Sequence, residues 1–307
     1  MTLTELRYVV AVAREQHFGK AASACFVSQP TLSIAIKKLE AELGVILFER
    51  RQHEVTVTAL GKTIIEQAQR VLEQAEAIKL IAREGKDPLT GEIRVGVIYN
   101  VGPYLLPDLI PVIHRLAPRI SLIIEEGFTA DLKTRLKHGE IDIIIISLPF
   151  AETGIATTLL YREPFMVAMP VDHPLTRKKH IKVSDLLEET LLLLKAGNCF
   201  RDQVMDVCPA FRNETFTSLD IQKTLEGSSL ETIRQMVAAG VGVTVMPCTS
   251  IDTKTRLKGL LAYRPFVSPV PYRDIAIACR NTFPRMQTVR LLTDAVQKCK
   301  LSCIDKA

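Results

Sequence analysis

Along the first ninety residues apolar positions recur at helical intervals. Leu3, Leu6, Val9, Val10 and Ala13 share one face, with Thr2 or Thr4 as a cap. A second short helix fits residues 19–25, whose small side chains let another helix come close. A third starts after Ser28 with Pro30 in its first turn, buries Leu32, Ile36, Leu39 and Leu43, and stops at Gly44. Residues 45–48 and 53–57 read as two short strands, with Arg50, Arg51 and Gln52 at the turn. From Ala59 to Arg83 no proline intervenes, and Leu60, Ile64, Ala68, Val71, Ala75, Ile78 and Ala82 follow a repeat near 3.5 residues. Such a seam needs a partner, most simply a second copy of the same helix. Residues 85–91 then form a hinge.

Beyond Glu92 the pattern alternates. Strands are predicted at 93–98, 122–124, 141–146, 165–170, 191–194, 241–246 and 272–279. Helices are predicted at 103–114, 130–137, 184–189, 200–207, 230–239 and 286–298, the fifth opened by a capping box at Ser228-Ser229-Leu230-Glu231. Alternation of this kind makes a mainly parallel α/β sheet, here two units facing each other. Ligands of open α/β sheets gather beyond the carboxyl ends of strands, where 99–102, 127–129 and 197–199 fall.

Composition changes this picture little, and charge changes where to look. The 307 residues have room for several domains and contain no run of 18 apolar residues, so no membrane span is expected. The N-terminus lacks a basic region followed by an apolar one, so the expected location is the cytoplasm. The net charge of +5 comes from residues 250–307, which carry eleven Lys/Arg against four Asp/Glu, while residues 1–58 carry seven against six. A nucleic-acid role for the N-terminal region therefore rests on local faces. Ser28, Gln29, Pro30, Thr31, Ser33, Lys37 and Lys38 give the third helix a polar side suited to a major groove, and Arg50, Arg51 and His53 suit backbone or minor groove. A small helical domain with a solvated face has the same pattern.

Seven cysteines, odd in number and scattered, imply no disulfide framework. Cys25, Cys248, Cys279, Cys299 and Cys303 read as packing or surface residues. Cys199 and Cys208 stand out. On a helix they lie about 13.5 Å apart along the axis, whereas a disulfide needs Cα atoms roughly 4.4–6.8 Å apart, so a bridge demands unwinding. A helix N-terminus and Arg201 both favour a thiolate at Cys199. Two idle, buried thiols fit the same spacing. No histidine stands nearby, so no metal and no cofactor are expected.

Ala21-Ala22, the run Val27-Ser28-Gln29-Pro30-Thr31-Leu32-Ser33, Ile36, Leu39-Glu40, Leu43-Gly44, Leu47-Phe48-Glu49-Arg50 and Thr58-Ala59-Leu60-Gly61 closely resemble the DNA-binding domain of LysR-type transcriptional regulators. Tyr99 with residues 101–107, Gly197 with Cys199 and Arg201-Asp202-Gln203, Ser229-Leu230-Glu231-Thr232 and residues 236–240 resemble the peroxide-sensing activators of that family. The resemblance implies an α+β multidomain fold. It has a winged helix-turn-helix over 1–58, a linker helix and hinge over 59–89, and a two-lobed α/β periplasmic-binding-protein-like regulatory domain over 90–303.

It also implies a transcription activator rather than an enzyme. The partners would be double-stranded promoter DNA, RNA polymerase and further copies of the chain as a dimer of dimers. Hydrogen peroxide would be the effector and thiol reductants would reset the switch. Cys199 would be oxidised to a sulfenic acid and Cys208 would resolve it as a disulfide. Thr129, Arg201, Asn100, Asn198, Gly197 and Asp202 are the candidate peroxide-site residues. The sequence departs from the family at Asn100, commonly threonine there, and at Asn198, a histidine in some members. The rival readings are a regulator of this family sensing a metabolite with idle cysteines, a thiol peroxidase, and a solute-binding protein.

Overall fold

The computed structural model describes residues 1–51, 54–84, 89–212, 224–251, 259–301 and 303–306. The chain divides into two compact units, Met1–Asp87 with Thr282–Pro284, and Pro88–Asn281 with Arg285–Ala307.

The first unit follows its caps. Helix α1 (Leu3–Glu15) opens on a capping box between Thr2 and Glu5. Helix α2 (Phe18–Ala24) opens on His17, whose Nδ1 accepts from the Gly19 and Lys20 amides. Helix α3 (Gln29–Leu43) opens on Ser28 and ends at Gly44, whose φ of 66° is left-handed. Leu6, Val9, Val12, Phe18, Leu32, Ile36 and Leu39 share one core. Leu43 is 38% exposed rather than buried, because the last turn of α3 runs past that core. The wing is displaced from its predicted position. Strand β1 is Phe48–Arg51 and pairs antiparallel with β2, Glu54–Val57. The predicted strand at 45–48 gives way because the Glu40 carboxylate accepts the Leu47 and Phe48 amides and turns the chain there. Arg50 and Arg51 therefore lie in β1, and His53 lies outside the described residues.

Helix α4 (Ala59–Glu84) carries a divided apolar stripe. Ala68 and Ile64 pack into the core of their own unit, as do Ile65 and Leu72. Leu60, Val71 and Ile78 are exposed along a neighbouring line. The near-3.5-residue repeat thus mixes two faces, which a helix of 3.6 residues per turn cannot hold in one stripe. Gly61 lets the helix approach the wing, since a β-carbon there would meet the Leu47 carbonyl oxygen at 2.5 Å.

The second unit is built on strands β3 (Gly91–Ile98), β4 (Ile120–Gly127) and β5 (Ile143–Ser147), with helices α5 (Gly102–Leu116) and α6 (Thr129–Lys137). Pro103, Pro107 and Pro111 recur at i, i+4 and i+8 on the exposed side of α5, where water can serve the carbonyls they leave unpaired. Strand β6 (Ile155–Pro170) is ten residues longer than predicted and serves both lobes. Its first part pairs with β11 and its last part with β9.

The second lobe contains β7 (Leu191–Leu194), α7 (Cys199–Val207), β8 (Thr224–Gly227), α8 (Leu230–Ala238), β9 (Val243–Pro247) and β10 (Leu261–Pro265). Then β11 (Tyr272–Arg280), α9 (Met286–Lys298) and the short β12 (Asp305–Lys306) return the chain to the first lobe and to β6. The sheet order is β4-β3-β5-β11-β6-β9-β7-β8. It is mixed rather than mainly parallel, because β11 runs antiparallel to both β5 and β6. Strands β8, β10 and β12 and the first half of β6 escaped the sequence reading, being short or without an apolar run. The predicted helix at 184–189 is a 3₁₀ turn at Val183–Leu186. The cap of α8 is Ser229, with Thr232 rather than Glu231 at the third helical position, so the predicted capping box does not form.

Candidate functional site

The loop before α7 is set by two residues. Gly197 has φ +88°, which suits a residue without a β-carbon. Asn198 then caps α7, its side-chain oxygen accepting the Phe200 amide at 3.2 Å. Cys199 is the first helical residue and Cys208 the residue that closes the helix. Both are free thiols. Nine residues of helix separate them by about 13.5 Å along the axis. Cys199 is half-buried, while Cys208 is fully buried and its thiol is pushed up to about 11 by that burial.

A chain of buried polar groups reaches this loop from β6 and β11 in the middle of the sheet. Asn100, just past β3, donates from Nδ2 to Asn198 Oδ1 at 2.7 Å and stands 3.8 Å from Cys199 Sγ. Arg273 donates to both oxygens of Asn100, to the carbonyl at 3.0 Å and to the side-chain oxygen. Its Nε donates to Glu163 at 2.6 Å, and Thr249 donates to the other Glu163 oxygen. Glu163 and Arg273 are partners across the β6–β11 register, and both side chains are 0% exposed. The Arg273 guanidinium lies 4.9 Å from the centre of the Phe200 ring, which packs edge-on against Phe165. A buried ion pair is tolerated only when its remaining donors and acceptors are served, and Asn100 and Thr249 serve them here.

Two further groups bound the site. Thr129 opens α6, and its hydroxyl is buried without a hydrogen-bond partner among the described residues. Phe128 beside it packs on Tyr99 at 5.2 Å, which sets the Thr129 turn next to the Asn100 turn. Gln203 stands four residues after Cys199 and so shares its helix face. Its Nε2 donates to Ser147 at 2.8 Å and to the Leu148 carbonyl at 3.1 Å, while its Oε1 is buried and unpartnered among the described residues.

None of the Arg201 bonds among the described residues reaches Cys199. The Arg201 guanidinium donates to the Leu194 carbonyl at 2.9 Å and to Glu226. Asp202 is exposed on the first turn of α7, where a carboxylate complements the helix dipole, and makes no bond to Cys199 among the described residues. Glu163, Arg273 and Gln203 were not singled out as site residues. The one signal for the first two is charge inside strands, Glu163 next to Arg162 in β6 and Arg273 next to Asp274 in β11.

In the first unit Gln29, Pro30, Thr31, Lys37 and Lys38 are exposed along α3, with Ile34 67% exposed among them and Ser33 half-buried. Ser28 spends its oxygen on the Thr31 amide and also bonds the Thr31 hydroxyl. Lys38 reaches Glu5 at 3.7 Å. Among the described residues no helix is long and apolar enough to cross a membrane, and no cluster of His, Cys, Asp and Glu could hold a metal ion.

Comparison with known proteins adds three findings. Residues 3–62 match the model of the bacterial regulatory helix-turn-helix protein of the lysR family, and residues 86–299 match the LysR substrate binding domain. The hydrogen peroxide-inducible genes activator of Pectobacterium carotovorum subsp. carotovorum is 37% identical over 97% of this chain and 96% of its own length. The DNA-binding transcriptional dual regulator OxyR of Escherichia coli K12 is 36% identical over 97% and 95%. Among solved structures, a full-length OxyR variant from Pseudomonas aeruginosa is 50% identical with a TM-score of 0.79, covering 98% of this chain and 96% of its own. A hydrogen-peroxide-bound OxyR mutant of Corynebacterium glutamicum is 32% identical with a TM-score of 0.63, covering 97% and 92%.

Proposed function

The chain belongs to the LysR family of bacterial transcription regulators, and from that premise we propose that it is a DNA-binding activator switched by peroxide at Cys199. The observation that carries the sensor half is the Asn100 amide. Two bonds from buried Arg273 fix its position in the turn after β3, and its amide nitrogen stands 3.8 Å from the sulfur of Cys199, the first helical residue of α7. A donor held this way cannot swing off to water, so it stabilises charge on sulfur without reorganising.

The thiolate of Cys199 attacks one peroxide oxygen. The O–O bond breaks, sulfur gains hydroxyl as a sulfenic acid, and the departing hydroxide takes a proton to become water. The Thr129 hydroxyl and the Gln203 side-chain oxygen, both unpartnered among the described residues, orient the peroxide. The Cys208 thiol then displaces the hydroxyl as a second water, so one peroxide accepts two electrons and a disulfide forms. That last step requires α7 to come apart, because its two ends cannot meet while it is helical. Unwinding pulls Asn198 off the Phe200 amide and off Asn100. Thiol reductants would return the helix.

In the DNA-binding half, the exposed polar side of α3 enters a major groove, with the wing on the backbone. The exposed line Leu60, Val71 and Ile78 of α4 meets its copy in a dimer, and pairs of dimers occupy one extended promoter site and engage RNA polymerase. The chain works where the DNA is. The test joins the halves. Equimolar peroxide should remove two hydrogens from a peptide pair joining Cys199 and Cys208 and should change the promoter footprint. Cys199→Ser should abolish both changes. A footprint that still responds in that variant moves the sensor elsewhere, and sustained peroxide turnover with a thiol reductant would make the protein a peroxidase.

A further inference from the structure

Two other cysteines, expected to be mere packing and surface residues, are joined. Cys248 and Cys303 form a disulfide with Cα atoms 6.2 Å apart, across 55 residues of sequence. The two halves differ in access: Cys248 is 2% exposed, whereas Cys303 is exposed. Cys303 also holds φ of 68°, a left-handed conformation that a β-carbon disfavours. Exposure of the Cys303 residue gives a small thiol a route to that end of the bond, and accessible disulfides are the ones that exchange.

The bond lies at one end of the polar chain that reaches Cys199. Cys248 to Ser250 form a single 3₁₀ turn after β9. Thr249 of that turn donates to Glu163. Arg234, itself buried, donates to the Ser250 carbonyl, and the Ser250 hydroxyl donates to the Pro247 carbonyl at 2.7 Å. On the other side of the bond, Asp305 pairs with Arg162, the residue before Glu163. Lys306 holds the end of α9 through the Gln297 and Cys299 carbonyls. The disulfide therefore grips Glu163 from two directions, through Thr249 and through β12.

We propose that Cys248 and Cys303 are a second thiol–disulfide couple, separate from Cys199 and Cys208, whose closed form holds Thr249 on Glu163 and so sets Asn100 beside the Cys199 sulfur. Opening begins at Cys303. A thiolate of a small thiol reductant attacks its sulfur, the S–S bond breaks, and Cys248 leaves and takes a proton. A second reductant thiol displaces Cys303 from the mixed disulfide. Two reductant thiols become one disulfide as two protein thiols form. Closing returns two electrons to a peroxide, which leaves as two waters. Opening frees the turn at 248–250 and lets β12 leave β6. The Glu163 oxygen that Thr249 serves then loses its donor.

The couple itself is judged on the full-length protein without any chemistry at Cys199. Cys199→Ser protein is equilibrated in graded ratios of reduced to oxidised glutathione, and free thiols are alkylated and counted by peptide mass. Cys248 and Cys303 should pass together from alkylated to bridged across the series. Thiols that alkylate at every ratio, or a bridge that resists every ratio while the chain is folded, would overturn the proposal. The coupling rests on Cys199 as the sensor and is read separately. In Cys303→Ser, a change at an exposed position, trapping of the Cys199 sulfenic acid with a cyclic dione should shift in rate by about 2- to 30-fold, the span of couplings carried by packed networks. An unchanged rate would break the link to Cys199, whereas a parent chain whose Cys199 ignores peroxide would sink the functional reading and leave the alkylation result to decide the couple.

Discussion

Helices α3 and α7 both begin at a capping side chain, and the two caps differ in what else they do. Ser28 is exposed, and its oxygen serves only its own first turn. Asn198 is 5% exposed, and the oxygen that caps α7 also takes the amide of Asn100, ninety-eight residues earlier. One helix start is a local device on a surface that presents polar side chains outward. The other is the last link of a buried network that starts at an ion pair between two strands. A cap of the first kind can be lost with a local cost. A cap of the second kind is coupled to the chemistry of the thiol next to it, so any event that unwinds α7 must also break the network.

Changes that separate the two kinds of helix start can be ranked by size. The largest effect is expected for Arg273→Ala. It leaves the 0% exposed Glu163 carboxylate without its cation. Urea unfolding should show a loss of roughly 3–5 kcal/mol. A loss below 1 kcal/mol would mean that the pair is not the anchor of the network. Next comes the pH response of Cys208, whose thiol burial raises from the ordinary 9.0 to about 11. The unfolded chain ionises this group near pH 9, and the folded one holds its proton to about pH 11. Its stability contribution is therefore intact below pH 9 and is lost as pH rises to 11. Cys208→Ala should remove about 2–3 kcal/mol of the alkaline loss in that window. Cys299, also raised to about 11 by burial, keeps its own share.

Asn100→Thr comes third. A threonine cannot both donate to Asn198 and accept from Arg273 over the same reach, so one buried partner goes unserved, at about 1–3 kcal/mol. Peroxide consumption by Cys199, followed by sulfenic acid trapping, should slow in that variant. An equal or faster rate would show that the Asn100 bridge is structural only. Ser28→Ala is expected to cost about 1 kcal/mol of thermal stability and nothing at Cys199. The smallest effect belongs to Lys37→Ala, which should leave stability alone. It should lower the slope of log affinity against log salt for promoter DNA by about 1.

The helices of the first unit were legible because each carries its own signals: Ser28, Pro30 and Gly44 bound α3, and Leu32, Ile36 and Leu39 repeat at its period. Residues 191–194 and the start of α7 were legible for the same reason. The wing was misplaced because Glu40 reaches forward seven residues to hold Leu47, which no local pattern records. Arg201 is close to Cys199 in sequence and matches the family's arginine, but the bonds it makes, to the Leu194 carbonyl and to Glu226, come from tertiary neighbours that no local pattern records. Cys248 and Cys303 looked unrelated because 55 residues separate them.

The sequence by itself therefore determined the long periodic helices, the Thr2 and Ser28 caps of α1 and α3, the family and the two thiols at the ends of α7. These rest on side chains acting within a turn or two of themselves. Only the tertiary structure decided what surrounds those thiols. Glu163, Arg273 and Asn100 meet because β6 crosses from one lobe to the other and β11 returns beside it. Once water is excluded from that crossing, each charge and amide must find its partner within the protein.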